Sequence, residues 1–409
     1  MNFSGKEQIV KVSNPNTDFP TFDSIQDLLQ SPDDAVWKIE KTPQSDVNRE
    51  ANTNFQNTEI VPDNLLGYYR TVSFKSPDIY LIKTSNATVR GNGVAYKENL
   101  IFPESFRSAT YGNLQVNDRF IIAESFITNS KEAFTYKIDA TDPEEHIEGN
   151  CLHLISSHSN AWAFWQMDTS AKIWYWVHAG KPKDWKFLIY EDTPSYQLEF
   201  YELIGASQDQ FVKISRTKTY SVETLFLGAP LATWNAAFSS EFFEVWQLAT
   251  RNLLHKRNLS LSKLEEERRK KILFISREDV KYHRPALNQP EIDSLLRSYN
   301  ADFVIPGELS LSEKLERFYG YGCVVGHLGS GVNNIIFSGK SGLFIGLWPY
   351  YLKDRYIIEL CHGLDINVDL IFCDGFVQET QEPSKLYKSP FVVDSRRLKS
   401  SLQRFVDRS

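Results

Sequence analysis

Between residues 272 and 372 the sequence alternates short, wholly apolar runs with amphipathic stretches, and few folds accommodate that alternation. Ile272–Ile275, Phe303–Ile305, Cys323–Val325, Leu343–Leu347 and Val368–Phe372 read as buried strands. Pro290–Tyr299, Ser310–Tyr319 and Tyr356–Cys361 read as the helices between them, the first with Ile292, Leu295, Leu296 and Tyr299 on one face. Strand and helix in regular succession predict a doubly wound parallel sheet, whose ligands sit at the strand carboxyl ends.

The middle of this region, Cys323–Phe337, runs from a strand into the glycine-rich turn Gly326–Gly331 and then into apolar residues at helical spacing. The first amides of a helix have no partner of their own, and its dipole adds positive charge there, so the turn reads as an anion site. Gly329 and Gly331 would let backbone approach a phosphate, with Ser330 between them and His327 and Asn334 flanking. An ordinary βα turn is the competing reading. The dinucleotide fingerprint fails because Asn334 stands where its third glycine belongs, and Gly339-Lys340-Ser341 fails as a P-loop ending for want of the first glycine.

Upstream the texture differs. Residues 1–65 are rich in Asn, Asp, Ser, Thr and Pro and read as an irregular extension, with one helix candidate at Phe22–Leu29. From residue 66 short β-like runs follow, including Arg119–Ile122, and Arg90-Gly91-Asn92-Gly93 marks a hairpin turn. Ile173–Val177, Phe187–Tyr190, Phe211–Ile214 and Thr224–Leu227 read as strands, and Tyr196–Ile204 as a helix closed by Gly205. A helical bridge spans about 240–269. The organisation expected is an extension over 1–65, an acceptor-side α/β domain over 66–245, a Rossmann-like domain over 246–394, and a helix over 395–409 packing back on the first half.

Arg277, directly after a strand in Ile275-Ser276-Arg277, is placed to pair a diphosphate held by the turn, because a guanidinium donates to two phosphate oxygens at once. Arg284 and Asn288 follow it. Glu313 stands in Ser310-x-x-Glu313, which is also a capping box. Taken in order, Ile-Ser-Arg277, Arg284-x-x-x-Asn288-x-x-Glu291, Ser310-x-x-Glu313 and Val324-Val325-Gly326-His327-x-Gly329-Ser330-Gly331-x-x-Asn334-x-x-Phe337 resemble glycosyltransferase family 61. That family includes bacterial capsular polysaccharide enzymes and eukaryotic xylosyl- and N-acetylglucosaminyltransferases. The likeness is concentrated over about 270–340, with echoes in 92–103 and in Tyr196-Gln197…Glu202-Leu203…Gly205.

The resemblance implies an α/β fold of GT-B type, with two Rossmann-type domains facing a cleft. It further implies inverting, metal-independent transfer of a sugar from a nucleotide-sugar donor to an oligo- or polysaccharide acceptor, with no cofactor. On it Ser276, Arg277, Arg284, Glu313, His327, Gly329, Ser330, Gly331 and Asn334 belong to the donor site, Glu313 facing the nucleoside. The sequence departs from the family's usual pattern at Leu328, where a glycine is usual, at Lys314, where glutamine often follows the glutamate, and at Ala161 and Trp165, where the acceptor side usually carries histidine and glutamate. Trp162 is kept. An inverting transfer needs a base for the acceptor hydroxyl. His158 and Asp168 are the candidates nearby, each with a plain alternative as a loop histidine or a helix or turn cap. The departures make a non-catalytic relative that binds a nucleotide sugar or glycan the second reading. A nicotinamide-dependent oxidoreductase is the third, disfavoured by the broken fingerprint.

The formal charge of −7 argues against nucleic acid as a partner. No Asp-x-Asp at a strand end and no ligand-spaced cluster suggests a metal. The longest apolar stretch, Gly342–Leu352, falls short of a membrane span, and the first twenty residues lack a signal-peptide core, so a cytoplasmic protein, or one peripheral at the inner membrane, is expected.

Overall fold

The computed structural model describes residues 7–11, 34–39, 53–70, 79–91, 93–97, 100–102, 105, 127–130, 135–139, 142–156, 160–233, 237–278, 284–339, 342–352, 356–375 and 388–408. The Phe22–Leu29 and Arg119–Ile122 elements and His158 lie outside them. The chain divides into two compact units, Met1–Pro43 with Lys75–Val245 and Gln44–Phe74 with Trp246–Ser409. Both are α/β, one built on a mostly parallel sheet and the other on a mixed one.

In the second unit the parallel strands lie in the order Asp302–Val304, Ile272–Ile275, Cys323–His327, Leu343–Pro349, Asn367–Gly375, which in chain order is 2-1-3-4-5. The strands Ile272–Ile275, Cys323–His327 and Leu343–Pro349 are apolar on both faces because helices cover both, while the edge strand starts on the exposed Asp302. One face sets Ile272, Phe274, Val325, Ile345 and Ile371 against Ile292, Leu296, Leu398 and Leu402 from helices Gln289–Ser298 and Ser395–Arg408. The other carries the helices Leu311–Phe318 and Tyr356–Gly363 and the 3-10 segment Ser330–Phe337, which touch one another. The terminal helix was expected on the first half. Its apolar face, Leu398, Leu402 and Phe405, is buried in the core of the second unit.

Three described segments of the expected irregular extension are likewise strands of the sheets. Thr53–Gln56 adds a parallel strand beside Asn367–Gly375, and Phe55 stacks on Phe372 with centroids 6.1 Å apart. Ala35–Ile39 pairs with Ile79–Arg90 in the first unit, and Glu7–Lys11 with Thr135–Asp139. Glu7–Lys11 and Thr53–Gln56 carry too few apolar residues to show a period of two, and in Ala35–Ile39 they are too continuous to alternate.

The first unit's sheet runs Phe211–Ile214, Trp185–Tyr190, Glu145–His153, Thr219–Gly228, all parallel, and continues antiparallel through Ile79–Arg90, Ala95–Lys97 and Leu100–Ile101. The hairpin at Arg90–Gly93 forms as expected, Arg90 N donating to Val94 O at 2.9 Å. Its turn reaches the end of the Glu145–His153 strand, where Gly93 O meets the His153 ring. The helix Ser195–Ile204 closes on Gly205, left-handed at φ 112°.

Ile173–Val177, expected as a strand, is helical: a 3-10 turn, Ser170–Ile173, runs into the helix Trp174–His178. Trp174, Tyr175 and Trp176 are all buried. With Ile173 to Trp176 buried in succession the segment has no polar face to reveal its period, so it reads like a core strand.

Candidate functional site

The strand order of the second unit reverses between Ile272–Ile275 and Cys323–His327, and crevices at such reversals bind ligands. Ile275 pairs with Gly326, so the residues after both strands emerge side by side. Arg277 follows one strand and Leu328-Gly329 the other; Arg277 Nη1 donates to Leu328 O at 2.9 Å. Gly329 has φ 151°, and a Cβ there would stand 1.8 Å from Arg277 Nη1 and 3.2 Å from Arg284 Nη2. Both guanidinium groups therefore lie against the glycine. Arg284 is itself left-handed at φ 53°, and Phe391 holds the next residues through Phe391 N to Pro285 O (3.1 Å) and Leu287 N to Phe391 O (2.8 Å).

His327 lies beneath them, 3% exposed, its ring edge-on to Phe274 and Phe391 at 5.6 and 5.4 Å. Its Nε2 has no hydrogen-bond partner among the described residues. Burial, reinforced by Arg277 and Arg284, pushes its pKa down to about 3, so the ring is neutral at physiological pH. Asn334 is fully buried: Nδ2 donates to Gly331 O at 2.8 Å, and Oδ1 has no partner among the described residues. That side-chain bond competes with the backbone ladder and accounts for Ser330–Phe337 winding as a 3-10 helix where an α-helix was expected. Ser276 is buried, its N bonded to Val304 O at 2.8 Å, while Ser330 is exposed. A Cβ on Gly331 would meet Ile275 Cγ2 at 3.4 Å and Pro306 Cγ at 3.7 Å, ordinary contacts, so close approach requires glycine at 329 and not at 331.

Glu313 is engaged as a helix cap. Its Oε2 accepts from Ser310 N at 2.8 Å and Ser310 Oγ at 2.7 Å, and Glu313 N donates back at 3.3 Å. These bonds lower the carboxyl pKa.

In the first unit a polar group is buried around the end of Glu145–His153. Asp168, 4% exposed on the helix Trp162–Asp168, lies 3.5 Å from Ser156 Oγ through Oδ2. Lys172, also 4% exposed, follows it. His153 Nε2 bonds Gly93 O at 2.8 Å; a carbonyl only accepts, so Nε2 holds the proton and Nδ1 presents a lone pair. Burial and then Lys172 push His153 down to about 3. At the same carboxyl edge Arg216 stacks 3.6 Å over the Tyr190 ring and donates through Nε to Asp192 and through Nη2 to Asn160 Oδ1 at 3.0 Å. Trp162 is half-buried against Trp165 and Tyr196, at 5.5 and 5.4 Å; Trp165, Trp174, Tyr175 and Trp176 belong to the core.

Sequence reasoning had passed over His153, Lys172 and Arg216. His153 and Lys172 showed only as a polar residue inside an apolar run, Cys151-Leu-His153-Leu-Ile and Ala171-Lys172-Ile, and Arg216 as an arginine directly after a strand, in Ile214-Ser215-Arg216. No group of three His, Cys, Asp or Glu side chains among the described residues is arranged to hold a metal, and no described helix is long and apolar enough to cross a membrane. Compared with protein-family models and with curated proteins, the sequence matches none.

Proposed function

We propose that the protein is a glycosyltransferase of GT-B type, resembling family 61, that transfers a sugar from a nucleotide-sugar donor to a glycan acceptor in polysaccharide assembly. The supporting observation is the convergence of Arg277 and Arg284 on Gly329 at the strand-order reversal, over a buried neutral histidine. In this reading the two guanidinium groups take the donor diphosphate and meet the charge that grows on it as the sugar leaves. His327 Nε2 and Asn334 Oδ1 serve as additional polar contacts. Asp168 of the first unit, buried next to Ser156, is proposed as the base for the acceptor hydroxyl.

A second reading, binding without transfer, is favoured by Trp165. Where the family usually has an acidic residue, this side chain is fully buried in an aromatic cluster and no carboxylate stands there.

A thermal-shift panel over nucleotide sugars tests the donor site. A ligand at 100 times its Kd stabilises by about 2.7 kcal/mol, and Arg277→Ala should abolish that shift while leaving the fold intact. An Arg277→Ala protein that responds as wild type does would sink the assignment. A transfer and donor-hydrolysis assay, run with and without chelator, separates the two readings.

A further inference from the structure

The opposite edge of the same sheet holds a groove that the donor site does not use. We propose that this groove is a second anion site, taking a small molecule that carries a di- or triphosphate group. It lies where the strands begin, encloses about 1090 Å³, and has Arg269, Lys270, Arg404 and Arg408 on its walls with Gly322 and Gly342 among its lining. A Cβ on Gly322 would fall 1.8 Å from Arg269 O, so the glycine lets the chain carrying Arg269 close over the strand start.

The charge in the groove is uneven. Asp369 is spent internally, accepting from Arg404 Nη2 at 2.6 Å and from Asn54 Nδ2 at 3.0 Å. Asp365 is the other carboxylate of the lining. Arg269, Lys270 and Arg408 make no ion pair among the described residues, so cations outnumber the carboxylates here in a chain whose formal charge is −7. A concave wall concentrates such a field, and arginine suits phosphate oxygens in pairs. The volume is near the upper end of small-molecule sites, and the chain's overall negative charge disfavours nucleic acid as the occupant.

The test uses isothermal titration with inorganic tripolyphosphate on Arg277→Ala protein, in which the proposed donor site is disabled. One equivalent should bind. Adding Lys270→Glu and Arg408→Glu should weaken it at least thirtyfold. Adding Arg396→Glu and Lys399→Glu, exposed charges outside the groove, should change it less than twofold. Arg408→Glu alone, at an exposed position near the chain end, should weaken it severalfold and guards against a misfolded double variant. Absence of binding to Arg277→Ala, equal weakening by both pairs, or indifference to Arg408→Glu would each overturn the proposal. Two equivalents on Arg277→Ala would instead count against the donor site while leaving the groove standing.

Discussion

Acid should destabilise this protein through His327, and the size of the effect follows from its position. The ring is 3% exposed, and burial, reinforced by Arg277 and Arg284, holds its pKa near 3 against 6.5 in the unfolded chain. Between those values the unfolded chain binds a proton that the native state refuses, so stability is complete above about pH 6.5 and is lost as pH falls. Each unit of difference is worth about 1.4 kcal/mol, so at pH 5 the loss is about 2 kcal/mol. That is a large share of a typical 5–15 kcal/mol. Urea unfolding of wild type and His327→Gln at pH 7 and pH 5, at one ionic strength, isolates the effect, because every other titrating group cancels in the difference. Wild type should lose about 2 kcal/mol relative to the variant on going to pH 5. A difference that stays constant would mean that the imidazole titrates normally and is not enclosed as described. His153→Gln should give the same result in the first unit, where burial and Lys172 act on His153.

Gly329→Ala should cost about 1–3 kcal/mol in urea unfolding, since its Cβ meets Arg277 Nη1 at 1.8 Å and its φ is 151°, while Gly331→Ala should stay within about 0.5 kcal/mol. Leu402→Ala, at a fully buried position of the terminal helix, should cost about 2–5 kcal/mol. Phe55→Ala, half-buried on Phe372, should cost about 1–2 kcal/mol by the same measurement, which a peripheral, unpacked segment would not show.

The second sheet was legible because parallel strands buried on both faces must be continuous apolar runs, and Ile272–Ile275 and Leu343–Leu347 are such runs. The same logic misread Ile173–Val177, whose helix buries Trp174, Tyr175 and Trp176 in succession. It also passed over Thr53–Gln56, in which Phe55 is the one apolar residue and the strand depends on a partner more than 300 residues away. Local pattern carries no record of such pairing. Burial of polar residues is equally hidden: His153 meets Gly93 O, 60 residues away in the chain, and Lys172 is buried although it is charged.

At the glycine turn Gly329 and two arginines expected in the donor site meet one another. Glycine at 329 signalled room for something that a Cβ would exclude, and the room exists. It is occupied by the guanidinium of Arg277, with that of Arg284 beside it. Arg277 was expected beside the turn as a ligand for the diphosphate; its contact with the glycine itself depends on the 2-1-3 order of the strands, and that of Arg284 on its left-handed backbone. The helix expected to present bare amides is a 3-10 segment whose Val332 N already bonds Gly329 O at 3.1 Å. The Val332 amide is thereby engaged, and the two guanidinium groups stand at the same edge. On the proposed reading, recognition of the diphosphate passes from a backbone cradle to a pair of guanidinium groups, and the glycine contributes by letting them stand close enough to act together.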